Sequence, residues 1–190
     1  MARSARIDRE QVVAVAAQLA DTHGLEQLTL AQVAAQLGVR LPSLYNHIDG
    51  LPGLHRELAR RGVRQLLECM SRAAIGKSED DAVLAIAHAY RAYVLEHPGV
   101  YAASVRAPAP DDAELLALSQ ELITVVLVVL APYRLGEEGA IHAVRGLRSV
   151  AHGFATLESA GGFGMALDRE ASFRLLVQAL IAGLRAYTET

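Results

Sequence analysis

The stretch that most constrains how this chain can fold is TLAQVAAQLGVRLPSLYNHI, residues 29–48. Thr29 with Gln32 three residues later forms a capping box, in which side chains and backbone donors at a helix start satisfy one another. The helix opening there carries an inner stripe of Val33, Ala34 and Leu37, and about two turns fit before Gly38. Gly38 can adopt the positive φ of a tight turn. Pro42 suits the first turn of a next helix, where its missing N–H costs nothing, and that helix is predicted to run to about Ile48. Two short helices about a glycine are either an ordinary packed pair or a helix-turn-helix. Ala34, Leu37, Val39, Leu44 and Ile48 would hold the pair at a fixed angle, leaving Leu41, Pro42, Ser43, Tyr45, Asn46 and His47 outward. Donors and acceptors on one short exposed helix favour the second alternative, because a merely solvated face would carry Lys and Glu. Such a helix can enter the DNA major groove by its N-terminal end, where the dipole and free N–H groups meet phosphate oxygens.

The rest of the chain reads as all-α. Ala and Leu dominate a sequence that is 52% apolar, and runs of β-branched or aromatic residues are scarce. A first helix is expected from Arg9 to His23, capped by Asp8 with Gln11 and ended by Gly24. Asp49, Gly50, Pro52 and Gly53 punctuate the junction before a long helix from about Leu54 to Ala74. Further helices are expected from Ser78 or Glu79 to near His97, from Val100 to Arg106, from a cap at Asp111 to near Pro132, from Glu137 or Glu138 to about Ser159, and from a cap at Asp168 to about Tyr187.

Charge is unevenly spread. Residues 1–72 hold nine Arg against seven Asp and Glu, and residues 73–190 hold nine Lys and Arg against fourteen acids. The net charge of −3 argues against a generally basic nucleic-acid coat, and a mildly basic N-terminal third on an acidic body is compatible with a nucleic-acid module there or, both offsets being small, with chance. The single cysteine, Cys69, precludes an intrachain disulfide and fits a reducing cytoplasm. The N-terminus lacks an apolar signal segment. The most apolar run, Leu122 to Ala131, is too short for a bilayer and reads as a buried helix, so no membrane partner is expected. The seven histidines include no i, i+4 pair and no accompanying Cys or carboxylate cluster, so neither a metal site nor a cofactor is expected. No nucleophile elbow, phosphate loop or dinucleotide fingerprint is present, which argues against an enzyme.

Thr29-Leu30 through Val33-Ala34, then Leu37-Gly38-Val39, then Leu44-Tyr45-Asn46-His47-Ile48 and Leu54 together resemble the TetR-type transcriptional regulators, over roughly residues 7–60. The resemblance implies an N-terminal three-helix DNA-binding domain, residues 1–52, and a C-terminal helical effector-binding and dimerisation domain, residues 53–190. It implies that Thr29 and Arg40 sit at helix starts near phosphates, and that Leu41, Pro42 and Ser43 meet base edges or backbone. Tyr45 and His47 would contact phosphates, Asn46 would reach a base edge, and Arg6 in the N-terminal arm would add a phosphate contact. Leu41 offers an apolar surface suited to a thymine methyl. Where the family usually has a phosphate-binding lysine at the start of its fourth helix, this chain has Leu51, followed by Pro52.

A head of this kind would work as a homodimer reading a palindrome of double-stranded operator DNA, two heads about 34–36 Å apart. Gly139, Ala143, Gly146, Val150 and Gly153 form a stripe of small residues, and Phe173, Leu176, Val177, Leu180, Ile181 and Leu184 an apolar face. Two such helices per chain either make a four-helix interface or pack within one protomer; the resemblance favours the interface. Ala151-His152-Gly153 resembles the family's Trp-His-Gly body subtype, with alanine in place of the tryptophan. For a small-molecule effector, the candidate lining is Leu66, Met70, Tyr90, Tyr93, Val94, Tyr101, Leu122 and His152, each of which could instead be ordinary core. The expected function is a repressor released from its operator by an effector that favours wrongly spaced heads, with the long fourth helix as lever. The alternative is a helical ligand-binding or interaction protein whose operator binding is weak or lost, an alternative that Leu51 keeps open.

Overall fold

The computed structural model describes residues 7–188. Its regular elements are all helical: α1 (Arg9–His23), α2 (Leu30–Gln36), α3 (Leu41–Leu44), α4 (Gly50–Ala74), α5 (Glu79–Glu96), α6 (Pro98–Ser104), α7 (Ala113–Leu130), α8 (Gly136–Ser159) and α9 (Arg169–Thr188). The chain divides into two compact units, one of Met1–Val63 with His97–Ala109 and one of Arg64–Glu96 with Pro110–Thr190.

In the first unit the predicted caps are present. Asp8 accepts the Gln11 N–H at 2.8 Å while the Gln11 side chain accepts the Asp8 N–H at 3.1 Å, and Thr29 and Gln32 make the same exchange at the start of α2. Val12, Ala16 and Ala20 of α1, Val33 of α2, Leu44 of α3, Leu54 and Leu58 of α4 and Val100 of α6 are sealed into one core, with Ala34 and Ile48. The short α6 is seated against α1 at unusually close range. A Cβ on Gly99 would lie 2.1 Å from the carbonyl carbon and oxygen of Ala20, so only glycine fits. Asp21 Oδ1 accepts the N–H groups of Gly99 and Val100, both at 2.9 Å, and Asp21 Oδ2 lies 3.2 Å from His97 Nδ1. On the other side Gly62 of α4 lets Val100 and Ser104 approach, with 3.1 Å available to a Cβ. Arg9 pairs with Glu57, joining α1 to α4.

In the second unit α5 packs on α8, α9 and α7. Arg91, almost fully buried, donates to both oxygens of Glu158 at 2.7 and 2.9 Å and pairs with Glu170. Its guanidinium lies over the rings of Phe154 and Phe173, 5.5 and 5.2 Å from their centroids. The buried Arg91 charge has its partners and hydrogen bonds supplied, by the enclosed Glu158 carboxylate and by Glu170 at the surface, and the pairing holds the Glu158 carboxyl below its usual range. Tyr133 donates to Asp80 at 2.7 Å, as does Arg185, and burial together with Asp80 pushes the Tyr133 phenol upward.

Several boundaries differ from expectation. The α-helical part of α3 ends at Leu44, not near Ile48: Asn46 and His47 donate three residues back, to Ser43 and Leu44, so the segment tightens as it leaves the helix. α4 begins at Gly50, because Pro52 and Gly53 lie in a first turn that needs few internal donors. Asp112, not Asp111, caps α7, accepting the Leu115 N–H at 3.1 Å. The helix runs nearly as expected, but its apolar stretch is longer and its burial smaller than the sequence suggested. With the following turn it spans Ala113–Tyr133, long and apolar enough by composition to cross a bilayer, since Leu115, Leu116 and Leu118 extend the apolar run. Only one face, with Leu115, Val126, Val129 and Leu130, is buried.

The two stripes expected to meet a second copy are split. Gly139 and Ala143 of α8, and Phe173, Val177, Ile181 and Leu184 of α9, are buried within the protomer. Gly146, Val150, Gly153 and Leu180 are half-buried and Leu176 is exposed. Each helix therefore uses one edge of its apolar face for the internal core and leaves the other edge outward.

Candidate nucleic-acid interface

The turn at Gly38 sets the interface geometry. Gly38 has φ +67°, its N–H bonds to the Ala35 carbonyl at 3.1 Å, and the Val39 N–H reaches back to the Ala34 carbonyl at 3.0 Å. This pair of bonds is the Schellman arrangement, which satisfies carbonyls that a helix end would orphan. Val39 and Leu37 then pack on the head core, and Leu44 and Ile48 are buried in it. With those four anchored, the segment from Leu41 to Asn46 has one orientation. Leu41, Pro42, Tyr45 and Asn46 are exposed, as two neighbouring i, i+4 pairs; Ser43 and His47 are half-buried.

Arg40 is exposed at the N-cap of α3 and its side chain caps nothing. Thr29 is the exposed N-cap of α2, with its hydroxyl donating to Gln32 Oε1 at 2.9 Å. The head residues Thr29, Arg40, Leu41, Pro42, Ser43, Tyr45, Asn46 and His47 thus share one unit, while Arg6 lies outside the described residues. Leu51 is half-buried and packs against the head core, so its side chain serves packing where the family's lysine would serve a phosphate. His55, on the same helix, has its Nε2 enclosed without a hydrogen-bond partner, and burial lowers its pKa. Among the described residues no group of three His, Cys, Asp or Glu side chains could hold a metal ion.

The expected effector residues are distributed differently. Leu66 and Met70 of α4 and Tyr90, Tyr93 and Val94 of α5 are buried in the second unit, which also holds the half-buried Leu122 and His152. The Tyr93 hydroxyl donates to Gln65 at 3.1 Å. Tyr101 is buried in the first unit. An open recess of about 420 Å³ on α8 is lined by Glu137, Glu138, Ile141, His142 and Arg145, none of them among those candidates. Sequence reasoning missed the Asp21 clasp on α6 and the Arg91 cluster. Glycine directly after Pro98, at a helix start rather than a helix end, was the available sign of the first; an arginine within the apolar pattern of α5 was that of the second.

A head whose turn and core fix a short exposed element, carried by a chain that is otherwise helical, defines the class of helix-turn-helix DNA-binding proteins. Comparison narrows the class. Residues 83–180 match the family model described as the tetracycline repressor-like C-terminal domain. The chain is 38% identical over 189 residues to the HTH-type transcriptional regulator Rv0681 of Mycobacterium tuberculosis, covering 99% of this chain and 86% of that protein. It is 34% identical over 178 residues to the HTH-type transcriptional regulator YobS of Bacillus subtilis, covering 94% and 93%. In fold it resembles a single-substitution TetR variant of Acinetobacter baumannii, solved in complex with minocycline: the TM-score is 0.71 at 20% identity, covering 95% of this chain and 98% of that one. The chain belongs to the TetR family of transcriptional regulators, proteins that bind operator DNA, dimerise and respond to effectors.

Proposed function

We propose that this regulator is a homodimeric repressor that holds a palindromic operator and is released by a small apolar or aromatic effector. The observation that carries the reading is the element after Gly38: four side chains, Leu41, Pro42, Tyr45 and Asn46, exposed on a segment whose remaining apolar residues are locked into the head core. Tyr45 and His47 supply phosphate contacts, Asn46 a base contact, and a second head doubles them. The outward edges of α8 and α9, with Leu176, Leu180, Val150 and Gly153, are the surface for the second copy. The buried Leu66, Met70, Tyr90 and Tyr93 of the second unit offer the apolar and aromatic side chains such an effector needs. α4 supplies residues to both units and is the connection through which effector binding would reach the head.

Selection from random duplex DNA, followed by titration at several salt concentrations, tests the reading. A palindromic sequence should be enriched, with a salt-dependent affinity far above that for random duplex. Tyr45→Ala should weaken binding roughly tenfold, about 0.7 kcal/mol per head for two heads, while sedimentation still reports the native assembly. Equal operator affinity in Tyr45→Ala would remove the assignment of the recognition element.

A further inference from the structure

We propose that the head reads the C5-methyl group of thymine, that Leu41 is the side chain sensing it, and that each operator half-site therefore presents an A·T pair to α3. The inference rests on the DNA-binding reading above. Among the described residues of the first unit, Leu41, 37% exposed, and Tyr45, 59% exposed, are the large apolar side chains left on the surface. The exposure is selective. Leu44 and Ile48, three residues further on from each, are buried at 0% and 4%, so this segment has a core available and still presents Leu41 outward. In the DNA major groove the apolar feature of a base edge is the thymine methyl.

The neighbouring side chains agree. Asn46 is exposed on the same segment, and its amide matches the N6 and N7 edge of adenine, thymine's partner. Guanine is read in the major groove most often by a bidentate Arg or Lys. Leu41, Pro42, Ser43, Tyr45 and Asn46 include neither, the first lysine in the chain is Lys77, and Leu51 is turned to the head core. Arg40 precedes the segment at its N-cap, a place suited to the backbone rather than to the base facing Leu41. An apolar contact and an amide presented by one segment, with no Arg or Lys among its exposed side chains, discriminate A·T from G·C.

The test replaces single thymines of the selected operator by deoxyuridine, which leaves pairing, sugar and phosphates unchanged and removes one methyl. At one position in each half-site the native protein should lose about fourfold in affinity, and about fifteenfold when both half-sites are changed, the worth of one buried methyl per head. Leu41→Ala should bind the thymine operator more weakly and should no longer distinguish thymine from uracil there; because Leu41 is exposed, its denaturation midpoint should match that of the native protein. Equal affinity of the native protein for every uracil-substituted operator overturns the proposal, as does an undiminished thymine preference in Leu41→Ala. Both outcomes leave the regulator reading intact. A selection that enriches no sequence overturns the regulator reading itself, and the proposal with it.

Discussion

Gly99→Ala is expected to be among the most damaging single-methyl insertions in the head. An added Cβ would lie 2.1 Å from both the carbonyl carbon and oxygen of Ala20 and 2.6 Å from the Asp21 nitrogen. Ordinary carbon contacts settle at roughly 3.5–4 Å, so the two helices must separate by more than about 1 Å, and the obstructing atoms are backbone that cannot rotate away. That separation carries the 2.9 Å bonds from Gly99 and Val100 to Asp21 beyond the length at which a hydrogen bond survives. Overpacking costs about 1–3 kcal/mol, and each bond to a charged acceptor contributes about 1.5–3 kcal/mol. Even with partial relaxation the loss should reach about 4 kcal/mol, most of the stability of a marginal domain. Gly62→Ala is the internal comparison. Its Cβ would meet Ser104 Cβ and the Val100 carbonyl at 3.1 Å, and alanine gains roughly 1 kcal/mol of helix propensity inside α4, so its net effect should be small. Urea denaturation followed by circular dichroism, at fixed protein concentration because assembly shifts the midpoint, measures both. A Gly99→Ala protein within about 1 kcal/mol of the native one, or a costlier Gly62→Ala, would refute the close-packing argument.

Gly38→Ala should cost about 1–2 kcal/mol, the penalty for a Cβ in left-handed backbone; at φ +67° nothing lies within 4 Å of the added carbon, so the denaturation midpoint reports backbone strain alone. The Arg91 cluster makes stability pH-dependent. Hydrogen bonding from Arg91 holds Glu158 below its ordinary value of 4.5, so the native state favours the ionised carboxylate. Its contribution is full above about pH 4.5 and is lost as pH falls through the lower native value. Glu158→Gln should flatten the acid side of the stability profile; parallel profiles for the two proteins would count against the assignment.

Much of the fold was legible because local rules and tertiary packing agree. The capping boxes at Asp8 and Thr29, the positive φ at Gly38 and the burial of Val33, Leu44 and Ile48 follow from chemistry within a few residues of each position. The exposed side chains after Gly38, Leu41, Pro42, Tyr45 and Asn46, were legible as what remained once that core was assigned. The length of α3 was not, since three-residue and four-residue backbone bonds differ little in local cost and tertiary anchoring at Leu44 and Ile48 decides between them. Helical periodicity marked the apolar faces of α8 and α9, but not which edge meets the protomer's own core. The Asp21 clasp joins residues 76 to 79 positions apart, a separation that no short window of sequence can register.

That clasp bears on the order in which the chain becomes functional as it is made. Val100 belongs to the same core as Val12, Val33 and Leu54, and the surface of α1 at Ala20 is covered by Gly99. A nascent chain that has emerged only through α4 already carries every residue of the turn and of α3, yet its core still lacks Val100, and Asp21 still waits for its N–H donors. Translation must proceed past Ser104, well into the segment that also encodes the body, before the head can close. A protein truncated between the two would therefore be left without a finished head able to occupy the operator.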